Sequence, residues 1–239
     1  MEICSLLAQN IAKQLLTQTV TLFLGVMLCY GPAVAADQSA PFRILAFGDS
    51  LTAGYGLDDL ADSLPAQLER ALKAKGYNVA LIQAGISGDT TTGGLNRIEW
   101  SLAEKPDGVI VALGGNDALR AIDPSVTEKS MSGIVQRIRS EGIPVLVAGM
   151  LAPPNLGRDY ADRFNAIFPR VAKLNGAVFY PFLLDGVAGI PALNQADRIH
   201  PNPKGVSIVV EKITPYMETL IDQIKLRRKA IDALPKEKS

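Results

Sequence analysis

Gly108-Val109-Ile110-Val111-Ala112-Leu113, followed at once by Gly114-Gly115-Asn116-Asp117, is the stretch that decides the fold. A strand with one wet face alternates apolar and polar side chains. An unbroken apolar run of this length fits a strand covered on both faces, as in a parallel sheet. Four more runs share that character: Arg43–Phe47, Tyr77–Ala84, Ile143–Met150 and Ala177–Phe182. The segments between them read as helices. Ser63 caps one that carries Leu64, Leu68, Ala71 and Leu72 and closes at Gly76. Asp123-Pro124 opens another, with Val126, Ile134, Val135 and Ile138 turned inward and an end at Gly142. Asp159 to Asn175 is expected to form one helix, kinked at Pro169. Asn202-Pro203 starts the last, carrying Val206, Val209, Val210, Ile213 and Met217, with a bend at Pro215 and a charged, fraying tail from Lys225. This order predicts a doubly wound, three-layer α/β/α domain with right-handed crossovers. Ligands in such folds bind beyond the carboxyl ends of the strands.

The turns at the strand ends therefore matter most. Gly48-Asp49-Ser50-Leu51 comes after the first strand, Gly85-Ile86-Ser87-Gly88-Asp89-Thr90 after the second and Gly114-Gly115-Asn116-Asp117 after the third. Glycine in such turns lets backbone N–H groups approach a ligand closely. Each turn alone has a plain reading as a strand end. The single histidine, His200, sits three residues after Asp197, in a loop just before the last helix. That spacing brings the Asp197 carboxylate to the His200 Nδ1–H and leaves Nε2 free to take a proton. A serine hydroxyl needs such a base to become a nucleophile.

These four motifs, in this order, resemble the SGNH (GDSL) hydrolase family, in particular its bacterial thioesterase/arylesterase/lysophospholipase branch. The likeness runs from about Arg43 to about Val210. It implies a five-stranded, flavodoxin-like sheet and a serine esterase. Ser50 would be the nucleophile, His200 the base, and Asp197 the residue that orients it. Ser50, Gly88 and Asn116 would supply the oxyanion donors. No metal or organic cofactor is implied. The Gly-x-Ser-x-Gly elbow of ordinary α/β-hydrolases is absent.

Leu151-Ala152-Pro153-Pro154-Asn155-Leu156-Gly157 comes after the fourth strand at the same edge. Leu151, Pro153, Asn155 and Leu156 are candidates for an acyl pocket; the alternative is a plain connection. Asp49, Asp89 and Asp117 are read as braces of their loops, and Trp100 as packing. The expected substrates are small acyl esters or lysolipids, acted on by a monomer. Two rival readings are a carbohydrate O-acetyl esterase, which would need an aromatic-lined groove, and a non-catalytic binding protein, which would not need both Ser50 and His200.

The N-terminus reads as an export signal over residues 1–36. Lys13 precedes an apolar run from Val20 to Tyr30, Gly31-Pro32 breaks it, and Ala33-Val34-Ala35-Ala36 offers cleavage near Ala36. The run is short for a bilayer span of about 20 residues, so cleavage and release are expected rather than an anchor. Both cysteines, Cys4 and Cys29, lie in this leader. A hydrolase domain over 37–225 and a tail over 226–239 complete the expected organisation. The 24 basic and 24 acidic residues cancel, which argues against a nucleic-acid partner.

Overall fold

A computed structural model describes residues 40–233. The expected leader and its cleavage point lie outside the described residues, as does the chain from 234. Five strands, β1 (Phe42–Gly48), β2 (Val79–Gly85), β3 (Gly108–Ala112), β4 (Val145–Ala148) and β5 (Val178–Tyr180), form one sheet in the order β2-β1-β3-β4-β5. Every neighbouring pair is parallel. All of β3 and β4 is buried, which is why these strands read as continuous apolar runs.

One face of the sheet is covered by α2 (Leu64–Ala74) packed on the last helix, α8 (Pro203–Asp232). The other is covered by α3 (Thr91–Leu102), α5 (Pro124–Ser140), α6 (Arg158–Asn165) and α7 (Ile167–Leu174). Two short helices, α1 (Ser50–Ala53) and α4 (Gly115–Leu119), lie directly after β1 and β3. The strand order reverses between β1 and β3, so a crevice opens there at the carboxyl edge.

Several expectations change. Val126 is 44% exposed; α5 instead buries Thr127, Ser130 and Met131 alongside Ile134, Val135 and Ile138. Thr127 is drawn inward because its hydroxyl donates to the buried Asp117 carboxylate. Trp100, expected to pack, is 89% exposed. On α3 the inward stripe is Thr91, Gly94, Ile98 and Leu102, and position 100 lies on the opposite side. The segment 159–175 is two helices divided at Ala166. Pro169 falls in the first turn of α7, where its missing N–H costs nothing, and its ring would crowd the Asn165 carbonyl of a continuous helix.

Helix α8 runs through Pro215 without interruption and on to Asp232. Its last part, expected as a tail, is held by Arg228. That guanidinium donates to Asp107 Oδ2 at 2.6 Å and to the Ala40 and Pro41 carbonyls, and lies over the Phe42 ring. No helix among the described residues is long and apolar enough to cross a membrane.

Candidate active site

Three strand ends and one loop build the site. β1 is followed by Asp49, whose side chain accepts the Leu51 N–H and caps α1, the helix that begins with Ser50. Ser50 therefore stands at a helix N-terminus, at the mouth of the crevice. Its N–H and that of Gly88 bond to no acceptor among the described residues. Gly88 has φ 80°, which a side chain would strain, and its carbonyl accepts from Arg120 Nη2 at 2.8 Å. The turn after β2 is fixed from behind by Arg97. It pairs with Asp89 at 2.7 Å and donates to the Ala84 and Gly48 carbonyls, tying two strand ends together.

Asn116 enters from the start of α4, behind Gly114 (φ 116°). Its Nδ2 donates to Asp49 Oδ2 at 3.3 Å. The next residue, Asp117, is fully buried and accepts from Thr91 N, Thr91 Oγ1 and Thr127 Oγ1. It thus clamps the turn after β3 to the start of α3. Asp49, Asp89 and Asp117 all have the bracing contacts expected of them.

The fourth part is the loop before α8. Asp197 Oδ1 accepts the N–H groups of Ile199 and His200, and Oδ2 lies 2.6 Å from His200 Nδ1. His200 Nε2 lies 2.8 Å from Ser50 Oγ. The structure thus brings together Ser50, His200 and Asp197 in one chain of contacts across a sequence separation of 150. With the carboxylate on Nδ1, the imidazole carries its proton there and Nε2 accepts from the serine hydroxyl. Burial would raise the Asp197 carboxyl. The hydrogen bonds from His200 and from the two backbone N–H groups outweigh it and hold the group at about 2. It therefore stays charged at neutral pH. Asp49 goes the other way: burial pushes it up to about 6, against the pull of Leu51 N–H, His200 and Asn116.

Two contacts escaped the sequence reading. Gln195 holds the histidine loop, its Nε2 donating to the Tyr55 and Pro201 carbonyls, while Asn194 bridges to Pro201. The Tyr55 ring lies 4.8 Å from the imidazole, centroid to centroid. Neither residue belongs to a spacing pattern; Gln195 lies within the loop, and Tyr55 reaches it only through tertiary contact.

Ser50, Gly88, Asn116, Asp197 and His200 all line a cavity of about 780 Å³. Its walls are mainly apolar, with Leu51, Tyr55, Met150, Phe182 and Leu184 among them. Of the four candidate pocket residues, Leu151 and Pro153 line it, whereas Asn155 and Leu156 do not. Those two sit in a 3-10 turn that carries the chain away toward α6. Among the described residues no group of three or more His, Cys, Asp or Glu could hold a metal ion.

Residues 46–208 match the model of the GDSL-like Lipase/Acylhydrolase family. The chain belongs to that family. Among GDSL-like acylhydrolases it is similar to "Esterase TesA" of Pseudomonas aeruginosa, 36% identical over 81% of this chain and 96% of that one. It is also similar to "Thioesterase 1/protease 1/lysophospholipase L1" of Escherichia coli K12, 34% identical over 84% and 92% of the two chains. A solved structure, AlinE4, described as an SGNH-hydrolase family esterase, shares 45% identity over 75% of this chain and 96% of its own, with a TM-score of 0.64. The chain is a GDSL-like hydrolase acting on esters.

Proposed function

We propose that this chain hydrolyses acyl esters through an acyl-enzyme on Ser50. The observation that carries this reading is the unbroken path from Asp197 through His200 to Ser50 Oγ, at 2.6 and 2.8 Å, on the wall of a largely apolar cavity. Ser50 Oγ attacks the acyl carbonyl carbon as Nε2 of His200 takes its proton. The carbonyl oxygen becomes an oxyanion beside the Ser50 and Gly88 N–H groups and the Asn116 amide, donors fixed before the charge develops. His200 then gives its proton to the departing alcohol or thiol. Water, deprotonated by the same nitrogen, releases the acid and restores Ser50. Asp197 keeps the imidazole in the required tautomer and stabilises its charged form.

Apolar walls and a volume near that of known small-molecule sites favour an acyl chain as the buried part of the substrate. Aryl esters, acyl thioesters and lysolipids, the classes named by a similar "Arylesterase" of Vibrio mimicus and by the Escherichia coli relative, each offer an apolar portion to such walls. The site is complete within one chain, which supports a monomer as the working unit. We further propose that residues 1–36 direct export and are removed near Ala36, so that the enzyme works outside the cytoplasm.

Ser50→Ala tests the reading. Turnover of nitrophenyl esters and labelling by a fluorophosphonate should both vanish while the thermal unfolding curve stays in place. Near-parental hydrolysis by that variant would remove Ser50 from the mechanism.

A further inference from the structure

Twelve large apolar side chains are exposed among the described residues, and six of them gather at one edge of the molecule. The segment after β1 presents Tyr55, that after β2 Ile86, and that after β3 Leu119. The segments after β4 and β5 present Leu151 and Ile190, and the histidine loop presents Ile199. Each is between 41% and 55% exposed. Tyr55, Leu119, Leu151 and Ile199 also line the cavity, and Ile86 and Ile190 adjoin its lining residues Ser87 and Gly189. Every strand-end segment thus contributes one apolar side chain to a ring around the mouth. The remaining six belong to helices or to the 3-10 turn at Leu60–Asp62. Single exposed apolar residues are ordinary on any protein; a contiguous set around an opening marks a surface built for contact.

Two cations share this rim. Arg198 lines the cavity, is exposed, and its guanidinium has no hydrogen bond or ion pair among the described residues. Arg120 is anchored to the Gly88 carbonyl by Nη2 and is otherwise open to solvent. Of the acidic groups that line the same cavity, Asp49 is buried, and Asp197 is partly exposed with its carboxylate engaged by His200 and two backbone N–H groups.

We infer that this rim docks on an anionic lipid bilayer, with the mouth of the cavity facing the membrane. Apolar side chains of this size settle at the boundary between headgroups and acyl chains, and arginines beside them meet the phosphates. Docked this way, the cavity receives an amphiphilic ester tail-first, and the chain passes from one apolar environment to another. That last consequence rests on the esterase reading; the docking does not.

Sedimentation with extruded vesicles tests the proposal on Ser50→Ala protein, which cannot degrade lipid. It is expected to sediment with phosphatidylglycerol vesicles and several-fold less with phosphatidylcholine, with binding weakened by salt. Adding Ile190→Asp or Ile86→Asp should lower vesicle affinity about tenfold, since each puts a charge where an apolar side chain was to be immersed. Trp100→Asp, on the outer face of α3, should leave it unchanged. With Ser50 restored, Ile190→Asp should hydrolyse a short soluble nitrophenyl ester at the parental rate. It should lose about tenfold on a long-chain lysolipid dispersed in phosphatidylglycerol vesicles. No binding to vesicles, equal binding to both lipids, or an equal loss in Trp100→Asp overturns the proposal. So does a dimer in gel filtration that Ile190→Asp dissociates, which would give the rim to a second copy. Inactivity of the parent on the soluble ester would instead overturn the esterase reading and leave the vesicle result standing.

Discussion

At pH 8 an Asp49→Asn variant is expected to be more stable than the parent and a much poorer catalyst. Asp49 is 1% exposed, and burial raises its carboxyl from 3.8 to about 6. A raised acid means that the folded state disfavours the ionised form. The stability associated with the protonated carboxyl is fully present below 3.8 and is lost as pH rises through about 6. A shift of about two units corresponds to about 3 kcal/mol, a large share of a net stability of roughly 5–15 kcal/mol. Asparagine removes the buried charge, still accepts the Leu51 N–H, and caps α1 as well as aspartate does. Urea unfolding at pH 4 and pH 8 should show the two proteins close together at the lower pH. At the higher pH the variant should lead by up to about 3 kcal/mol.

Catalysis should move the other way. Asn116 Nδ2 now donates to Asp49 Oδ2. An amide at position 49 opposes donor with donor unless Asn116 turns over and presents its oxygen where its N–H stood. Either outcome misaims a proposed oxyanion donor, and kcat should fall by about 100- to 1000-fold. A variant with full kcat, or one that loses stability equally at both pH values, would refute the reasoning.

Asn116→Ala should cost a similar factor in kcat on a nitrophenyl ester, with little change in Tm; a loss of only a few-fold would make Asn116 a turn former. Asp197→Asn should lower kcat by about 10⁴ by releasing the imidazole from its tautomer, measured over pH 5–8 with labelling of Ser50 as a second readout. Asp117→Ala should cost about 2–4 kcal/mol in urea unfolding, because Thr91 N, Thr91 Oγ1 and Thr127 Oγ1 all lose their acceptor in the core. Arg228→Ala should cost about 1–2 kcal/mol by taking its guanidinium from the Ala40 and Pro41 carbonyls and from Asp107, which keeps only the Arg43 N–H, while nitrophenyl-ester turnover stays unchanged.

The sheet was legible because burial on both faces writes itself into composition: Gly108–Leu113 can serve as little else. The turns after β1, β2 and β3 were legible for a related reason, since Gly88 and Gly114 mark backbone that must turn through positive φ and Gly48 a strand end with no room for a side chain beside Thr52. The Asp197–His200 pair could be read because their contact spans three residues. What failed was whatever depends on partners far away in the chain. Val126 has the right period for burial, yet the core beside it is filled by Met131 and by Thr127 reaching Asp117. Trp100 was placed by its chemistry when only its angle around α3 mattered. The division at Ala166 comes from where Pro169 falls relative to the Asn165 carbonyl, a matter of one turn. Residues 226–232 are charged, but Arg228 has a carboxylate waiting on another element. Asn155 and Leu156 were judged by proximity in sequence to Leu151, and a 3-10 turn takes them elsewhere.

The contact between Ser50 and His200 spans 150 positions, and the helix that steadies the histidine loop ends only at Asp232. During synthesis the proposed nucleophile emerges long before its proposed base. A growing or truncated polypeptide that stops short of residue 200 carries an unactivated hydroxyl. On the proposed assignment, hydrolysis is expected only once the chain beyond residue 200 has emerged and folded.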